Sequence, residues 1–282
     1  MNMQQQFETV ITPKRAWFDL NLKELLRYQD LIVLFVRRTF VSQYKQTVLG
    51  PAWAIIQPLL TTVVLTVVFG NIAGLAPAGV PSFAFYLCGS IAWGYFSACL
   101  TATSTTFTSN AAILGKVYFP RLVMPISTVL SQLISFAVQF LFFLLFLIYY
   151  IATGANVHPN GWILLTPVLL LHLALLSLGV GIIISALTTK YRDLAMVVSF
   201  GVQLWMYATP VAYDLTLIPD QFLGLYMLNP VTPVITMFRY AFLGVGEPHL
   251  VAYGISWIVT LAVLLLGVML FNRVEKTFMD TV

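Results

Sequence analysis

The sequence predicts an all-α integral membrane protein with six transmembrane helices per protomer, an N-terminal amphipathic interfacial helix and a re-entrant or outer helical hairpin before the last span. Three observations give that class. Of the 282 residues, 60% are hydrophobic and 9% are charged, and the mean hydropathy is +0.91. The apolar residues gather into six long segments whose cores hold no acidic or basic side chain. Each approaches the roughly 20 residues a helix needs to cross about 30 Å of hydrocarbon. The basic residues, finally, collect in the connections on one side. A charge at the bilayer centre costs about 2.5–3.5 kcal/mol on insertion scales. Ion- and proton-coupled transporters ordinarily carry that cost to hold their coupling group. With none in the spans, the energy source is expected elsewhere.

One domain is expected over 1–282, with cytoplasmic or interfacial helices over 1–48 and a six-span core over 52–271. The first 30 residues are polar and charged, without an apolar stretch ahead of a small-residue cleavage site, so no cleaved secretory signal is expected. Asn21 can cap a helix and Glu24 can reach back to it. Leu22, Leu25 and Leu26 then form an apolar stripe, with Lys23 and Arg27 off it, which predicts a helix lying in the membrane plane. Asp30 can cap a second helix from Leu31 to about Gln46, too short in its apolar part to span.

Span one is predicted from about Ala52 to Ala73 and carries Pro58. Spans two, three and four follow at about Phe83–Thr103, Leu122–Ala152 and Ile163–Leu187. Spans five and six follow at about Leu194–Tyr213 and Val251–Phe271. Between spans two and three, Asn110 can cap a short helix, Ala111–Leu114, which Gly115 ends. A short helix between two spans suits docking to a soluble partner. The stretch 214–250 is too polar to span and is punctuated by Pro219, Pro230, Pro233 and Pro248. It reads as two short helices at the outer surface, dipping in as a re-entrant pair.

Lys14, Arg15, Lys23, Arg27, Arg37, Arg38 and Lys45 precede span one. Lys116 and Arg121 lie between spans two and three, Lys190 and Arg192 between four and five, and Arg273 and Lys276 after six. With both termini cytoplasmic, all of the 14 basic residues except Arg239 face the cytoplasm, as the positive-inside rule asks. The net charge of +4 therefore reads as topology, and no nucleic-acid partner is expected. Cys88 and Cys99 stand about 16 Å apart on one predicted helix, too far to bridge.

The sequence contains no GxxxxGK[ST] phosphate loop, no HExxH, no GxSxG and no paired-Cys metal pattern, so no catalytic residue, metal site or cofactor of its own is expected. His172 lacks a partner carboxylate in the spans and reads as a packing or hydrogen-bonded residue. Most aromatic residues, such as Trp53, Tyr149, Tyr150 and Trp162, sit where interfacial belts form. Trp93 and Trp205 instead fall near mid-span. Tyr86 shares a helix face with Trp93, and Tyr207 and Tyr213 follow Trp205. Helix packing accounts for such rings. A channel lining does so too, since ring faces stack on sugar C–H faces while polar tips bind hydroxyls. Gln57, Gln132, Gln139 and Gln203 either bond across helices or face a lumen. The Ser177, Gly181 and Ser185 stripe permits close helix contact. Arg37, Arg38 and Lys45 serve topology or anionic lipid, or attract the pyrophosphate of a lipid carrier, whose oxygens suit arginine.

Tyr44-Lys-Gln-Thr-Val-Leu-Gly-Pro-Ala-Trp-Ala-Ile-Ile-Gln-Pro58 resembles the approach to the first span in ABC-2-type permeases that export O-antigen, capsular polysaccharide or teichoic acid. Lys190-Tyr-Arg-Asp193 and Leu228-Asn-Pro230 are similar to the same family but weak alone. The resemblance implies a homodimer with a channel at its interface, paired with two copies of a separate nucleotide-binding ATPase that binds ATP and Mg. It implies ATPase contacts at the interfacial helix (Asn21, Glu24, Arg27) and at the short helix after span two (Asn110, Leu114, Lys116). The implied substrate is an undecaprenyl-pyrophosphate-linked glycan, moved across a bacterial inner membrane.

On this basis Tyr86, Trp93, Trp205, Tyr207 and Tyr213 are candidates for the channel, and Arg37, Arg38 and Lys45 for the carrier head group. Three alternatives stay open. An ABC-2 permease for drugs or lipids would share the plan. An ion-coupled transporter should hold charges in its spans. A membrane enzyme acting on lipid-linked sugars could use Asp214, Asp220, Arg239, Glu247 and His249.

Overall fold

The structure is a computed structural model that describes residues 22–45, 47–117, 119–188, 191 and 193–277, with side chains described between Leu25 and Phe271. Asn21, the Glu24 side chain, Lys190 and Arg192, all named above, lie outside these. Among the described residues every regular element is helical. The chain opens with α1 (Leu22–Arg27), only six residues long, and α2 (Gln29–Tyr44). Asp30 falls inside the first turn of α2 rather than at its cap. Tyr28 holds the cap position without a side-chain bond. A carboxylate in that turn still favours the helix through the exposed N–H groups.

A 3-10 turn at Gly50–Ala52 leads into α3 (Trp53–Leu65), which runs on as π-helical turns over Thr66–Ile72. Pro58 lies inside α3 and takes one hydrogen bond out of its ladder. Next comes α4 (Ser82–Ser104), packed against helices on several sides and buried along most of its length. A helix apolar all round suits that central place. Two short helices follow, α5 (Thr106–Ser109) and α6 (Ala111–Leu114). Asn110 does not cap α6 with its side chain. Its Nδ2–H donates back to the Thr106 carbonyl at 2.8 Å, so it closes α5 instead.

α7 (Val123–Ala152) has 30 residues, about 45 Å at helical rise. A 3-10 turn at Gly161–Leu165 precedes α8 (Thr166–Thr188), which packs between α4 and the last helix, α12 (Leu250–Thr277). Small residues set both spacings. A Cβ on Gly181 would stand 2.6 Å from Thr103 Cβ, and one on Gly179 would stand 2.9 Å from the backbone N and Cα of Leu264. Ser177 and Ser185 are buried on the same helix.

Among the described residues five helices are long and apolar enough to cross a membrane: Gly50–Ile72, Ser82–Ser104, Val123–Ala152, Gly161–Thr188 and Leu250–Phe271. The fifth predicted span departs from expectation. It forms α9 (Leu194–Tyr207), which has 14 residues and rises only about 21 Å. The apolar pattern runs on to Tyr213, but the backbone leaves the helix at Ala208 and stays irregular to Asp214. A 3-10 turn at Leu215–Leu217, α10 (Asp220–Leu228) and α11 (Val231–Leu243) follow. These are the two short helices read from 214–250, and α11 is far more deeply placed than its neighbour. Nearly all its residues are buried, whereas α10 buries none.

The two ends of the bundle are defined by packing. Phe35, Phe107, Leu114, Phe119, Met124 and Phe271 form one cluster, bringing α2, α5, α6 and the adjacent ends of α7 and α12 together. At the other end, the Leu243 and Ala241 carbonyls of α11 accept from the N–H groups of His158 and Asn160.

Candidate functional site

Two features place the uncharged polar and aromatic candidates of the spans. The first is a cavity of about 430 Å³ between α2, α3, α4 and α7, within the roughly 300–1,000 Å³ usual for ligand pockets. Gln57 of α3 and Gln132 and Gln139 of α7 converge on it together with Gln43 of α2. Gln203 is exposed elsewhere on α9. Trp93, Trp53 and Tyr44 supply ring walls, and among the described residues none that lines the cavity is charged. The Tyr44 hydroxyl lies 3.1 Å from Ser135 Oγ, which ties α2 to α7 at its edge. Amide groups and ring faces without charge make a surface that hydrogen-bonds and stacks but repels neither anions nor cations.

The second feature joins this cavity to α9. The Trp93 and Trp205 rings meet edge to face at 6.4 Å, and Phe96 meets Trp205 at 5.2 Å. Trp93 is buried and Trp205 half-buried. Tyr207 is exposed, and Tyr213 donates its hydroxyl to the Tyr207 carbonyl at 2.9 Å. Tyr86 lies in the core with none of its surface exposed, against Gly70. It does share a face of α4 with Trp93. Because α4 is enclosed by its neighbours, that shared face does not open both rings to one space. Arg37, Arg38 and Lys45 are all exposed on or just after α2. On the ATPase-contact candidates, Leu114 packs into the cluster with Phe35 and Phe107, while Arg27 and Lys116 are exposed and Asn110 is half-buried.

Sequence reading placed Arg239 as the exception to the charge pattern without saying why. The structure supplies the reason. Arg239 is 3% exposed. Its Nη1 donates to the Pro210 carbonyl at 2.5 Å and its Nη2 to the Val211 carbonyl at 2.6 Å. Its guanidinium carbon sits 3.7 Å from the centre of the Phe85 ring. These carbonyls belong to the irregular passage after α9, where the helix no longer supplies N–H donors. Buried backbone outside a helix must find partners from side chains, and the fork of an arginine serves two at once. Gly89 leaves the room: a Cβ there would stand 2.5 Å from Nη2. No signal in the sequence pairs residue 239 with 210 and 211.

Around the α10–α11 hairpin Asp214, Asp220, Glu247 and His249 line, together with Arg239, a separate cavity of about 360 Å³. The Nη1 and Nη2 groups of Arg239 are engaged by backbone carbonyls there.

Known sequences match this chain over most of its length. Residues 30–243 match the ABC-2 type transporter family. The chain belongs to that family. It is similar to the O-antigen export system permease protein RfbA of Klebsiella pneumoniae, 28% identical over 264 residues, 93% of this chain and 98% of the relative. RfbA of Myxococcus xanthus is 29% identical over 78% of this chain and 83% of its own length. The polysialic acid transport protein KpsM of Escherichia coli is 24% identical over 88% of this chain and 94% of its own length.

Proposed function

We propose that the chain is the membrane-spanning permease of an ATP-driven polysaccharide exporter in a bacterial inner membrane. It is a transport subunit, and hydrolysis belongs to a separate ATPase. The similarity to O-antigen permeases along nearly the full length of both chains carries this reading. The uncharged amide-and-ring cavity supports it chemically. Rings stack on sugar faces and amides bond hydroxyls whatever the charge of the chain passing by.

The finer assignments rest on that reading. Two copies form a channel along their interface, lined by Trp93, Trp205, Tyr207 and Tyr213, with Tyr86 backing α4 from the core. Six crossings per protomer, with both termini cytoplasmic, follow if α9 and the irregular 208–214 passage together complete the fifth. The substrate is a glycan on undecaprenyl pyrophosphate, whose head group meets Arg37, Arg38 and Lys45. The ATPase, carrying ATP and Mg, docks on the end built from α1, α5 and α6, near Asn21, Glu24, Arg27, Asn110, Leu114 and Lys116. An amphipathic α1 lies in the interface there.

Purification of the tagged chain from its native membrane in mild detergent tests the class. A stoichiometric soluble subunit with a phosphate loop and ATPase activity is expected to accompany it, and loss of the gene is expected to strand lipid-linked polysaccharide inside the cell. A chain that comes out alone and does not respond to ATP would overturn the reading.

A further inference from the structure

The geometry points to Asn229 as the positioning residue of the channel's aromatic constriction: its amide fixes the Trp205 indole and fastens α9 to the α10–α11 hairpin, so that the two move as one body. The inference rests on the channel reading for Trp205 above.

Asn229 stands in the elbow between α10 and α11, and its carboxamide uses both ends. Oδ1 accepts from Trp205 Nε1–H at 3.1 Å and from the Val231 N–H at 3.2 Å. Nδ2 donates to Thr209 Oγ1 at 2.8 Å and to the Ala208 carbonyl at 3.3 Å. The orientation is determined by its partners. Thr209 gives its own proton to the Trp205 carbonyl at 2.9 Å, so towards Asn229 it accepts. A flipped amide would set donors against the indole and Val231 N–H groups and an acceptor against two acceptors. Only one orientation satisfies all four partners.

Those partners span two bodies. Trp205, Ala208 and Thr209 end α9, where the helix gives out. Val231 begins α11, whose buried face is locked to α4. The indole so held is the one that meets Trp93 and Phe96. Rotation of Trp205 about its side-chain bonds would break the bond to Asn229. The next residue extends the tie. The Pro230 carbonyl accepts from Ser256 Oγ of α12 at 2.6 Å, and Ser256 lies 3.0 Å from His172 Nε2 of α8. The elbow thus joins α8, α9, α11 and α12.

The test uses the permease with its ATPase, purified in nanodiscs, and an Ala208→Cys reporter. Ala208 is exposed, while Cys88 and Cys99 are buried and give little background. N-ethylmaleimide labelling of the reporter reads the position of this segment, and surface polysaccharide in cells reads export. Asn229→Ala is expected to change the labelling rate at least about threefold and to cut export at least about fivefold at equal membrane abundance. Trp205→Phe keeps an aromatic ring while removing the pyrrole part of the indole with its N–H, and is expected to reproduce part of both changes. Adding Asn229→Ala to Trp205→Phe is expected to cost export less than it does alone, because contacting residues couple. Wild-type labelling in both single variants, or strictly additive export losses, would overturn the proposal. If Asn229→Ala fails to insert, Asn229→Asp decides, since it keeps the acceptors and opposes Thr209 and Ala208. Normal export by Trp205→Ala would instead sink the channel reading, independently of the labelling.

Discussion

Removing the Arg239 guanidinium tests whether this cation is a backbone clamp. Arg239→Met keeps much of the side-chain volume. It strips the Pro210 and Val211 carbonyls of donors at 2.5 and 2.6 Å. Each buried carbonyl left unpaired costs about 1–3 kcal/mol, and the desolvated contact with Phe85 contributes up to about 2 kcal/mol. Against this, the variant no longer desolvates a cation, which returns several kcal/mol. With the lost partners in the upper part of their range, about 6–8 kcal/mol together, and about 4 kcal/mol returned, the balance is a loss of about 2–4 kcal/mol. At roughly 2–4 °C per kcal/mol for a chain near this size, the midpoint should fall by roughly 4–16 °C. Thermal unfolding of the detergent-purified chain at one fixed scan rate measures it. Arg239→Lys should fall between, because an ammonium is a point charge without the planar fork. A shift under about 2 °C for Arg239→Met, with export lost all the same, would refute the clamp and make Arg239 a residue that meets the substrate.

Two other outcomes follow from close packing and from the cavity. Gly179→Ala puts a methyl 2.9 Å from backbone atoms of Leu264, which cannot rotate aside, so α8 and α12 must separate. A loss of about 1–3 kcal/mol is expected in the same thermal assay, and an unchanged midpoint would contradict the observed crossing. Trp93→Ala with Trp205→Ala, and separately Gln57→Leu with Gln139→Leu, should reduce surface polysaccharide severalfold while the protein stays inserted. Normal export in both pairs would remove this surface from the transport path.

Much of the helical plan was legible in the sequence because bilayer solvation acts on each segment alone. Four of the six predicted spans fall within a few residues of the observed helices, and span one does so once its π-helical turns are counted. Hydrophobic length marks those bounds locally. The fifth span misled for the same reason: its apolar run continues to Tyr213, and hydropathy does not register that the backbone stops being helical after Tyr207. The caps assigned to Asp30 and Asn110 rested on residue type, whereas cap geometry depends on where the preceding turn points.

The sequence by itself determined a helical membrane protein, the uncharged character of its spans and the motifs that resemble polysaccharide permeases. These are properties of composition and local order. Only the tertiary structure decided that glutamines of α2, α3 and α7 meet in one cavity, that Tyr86 is enclosed while Trp93 reaches Trp205, and that Arg239 and Asn229 supply the partners the broken fifth segment lacks. Each joins positions far apart in the chain. Irregular backbone inside a bilayer is stable only where another element completes its hydrogen bonds, and that element cannot be identified until the helices are packed.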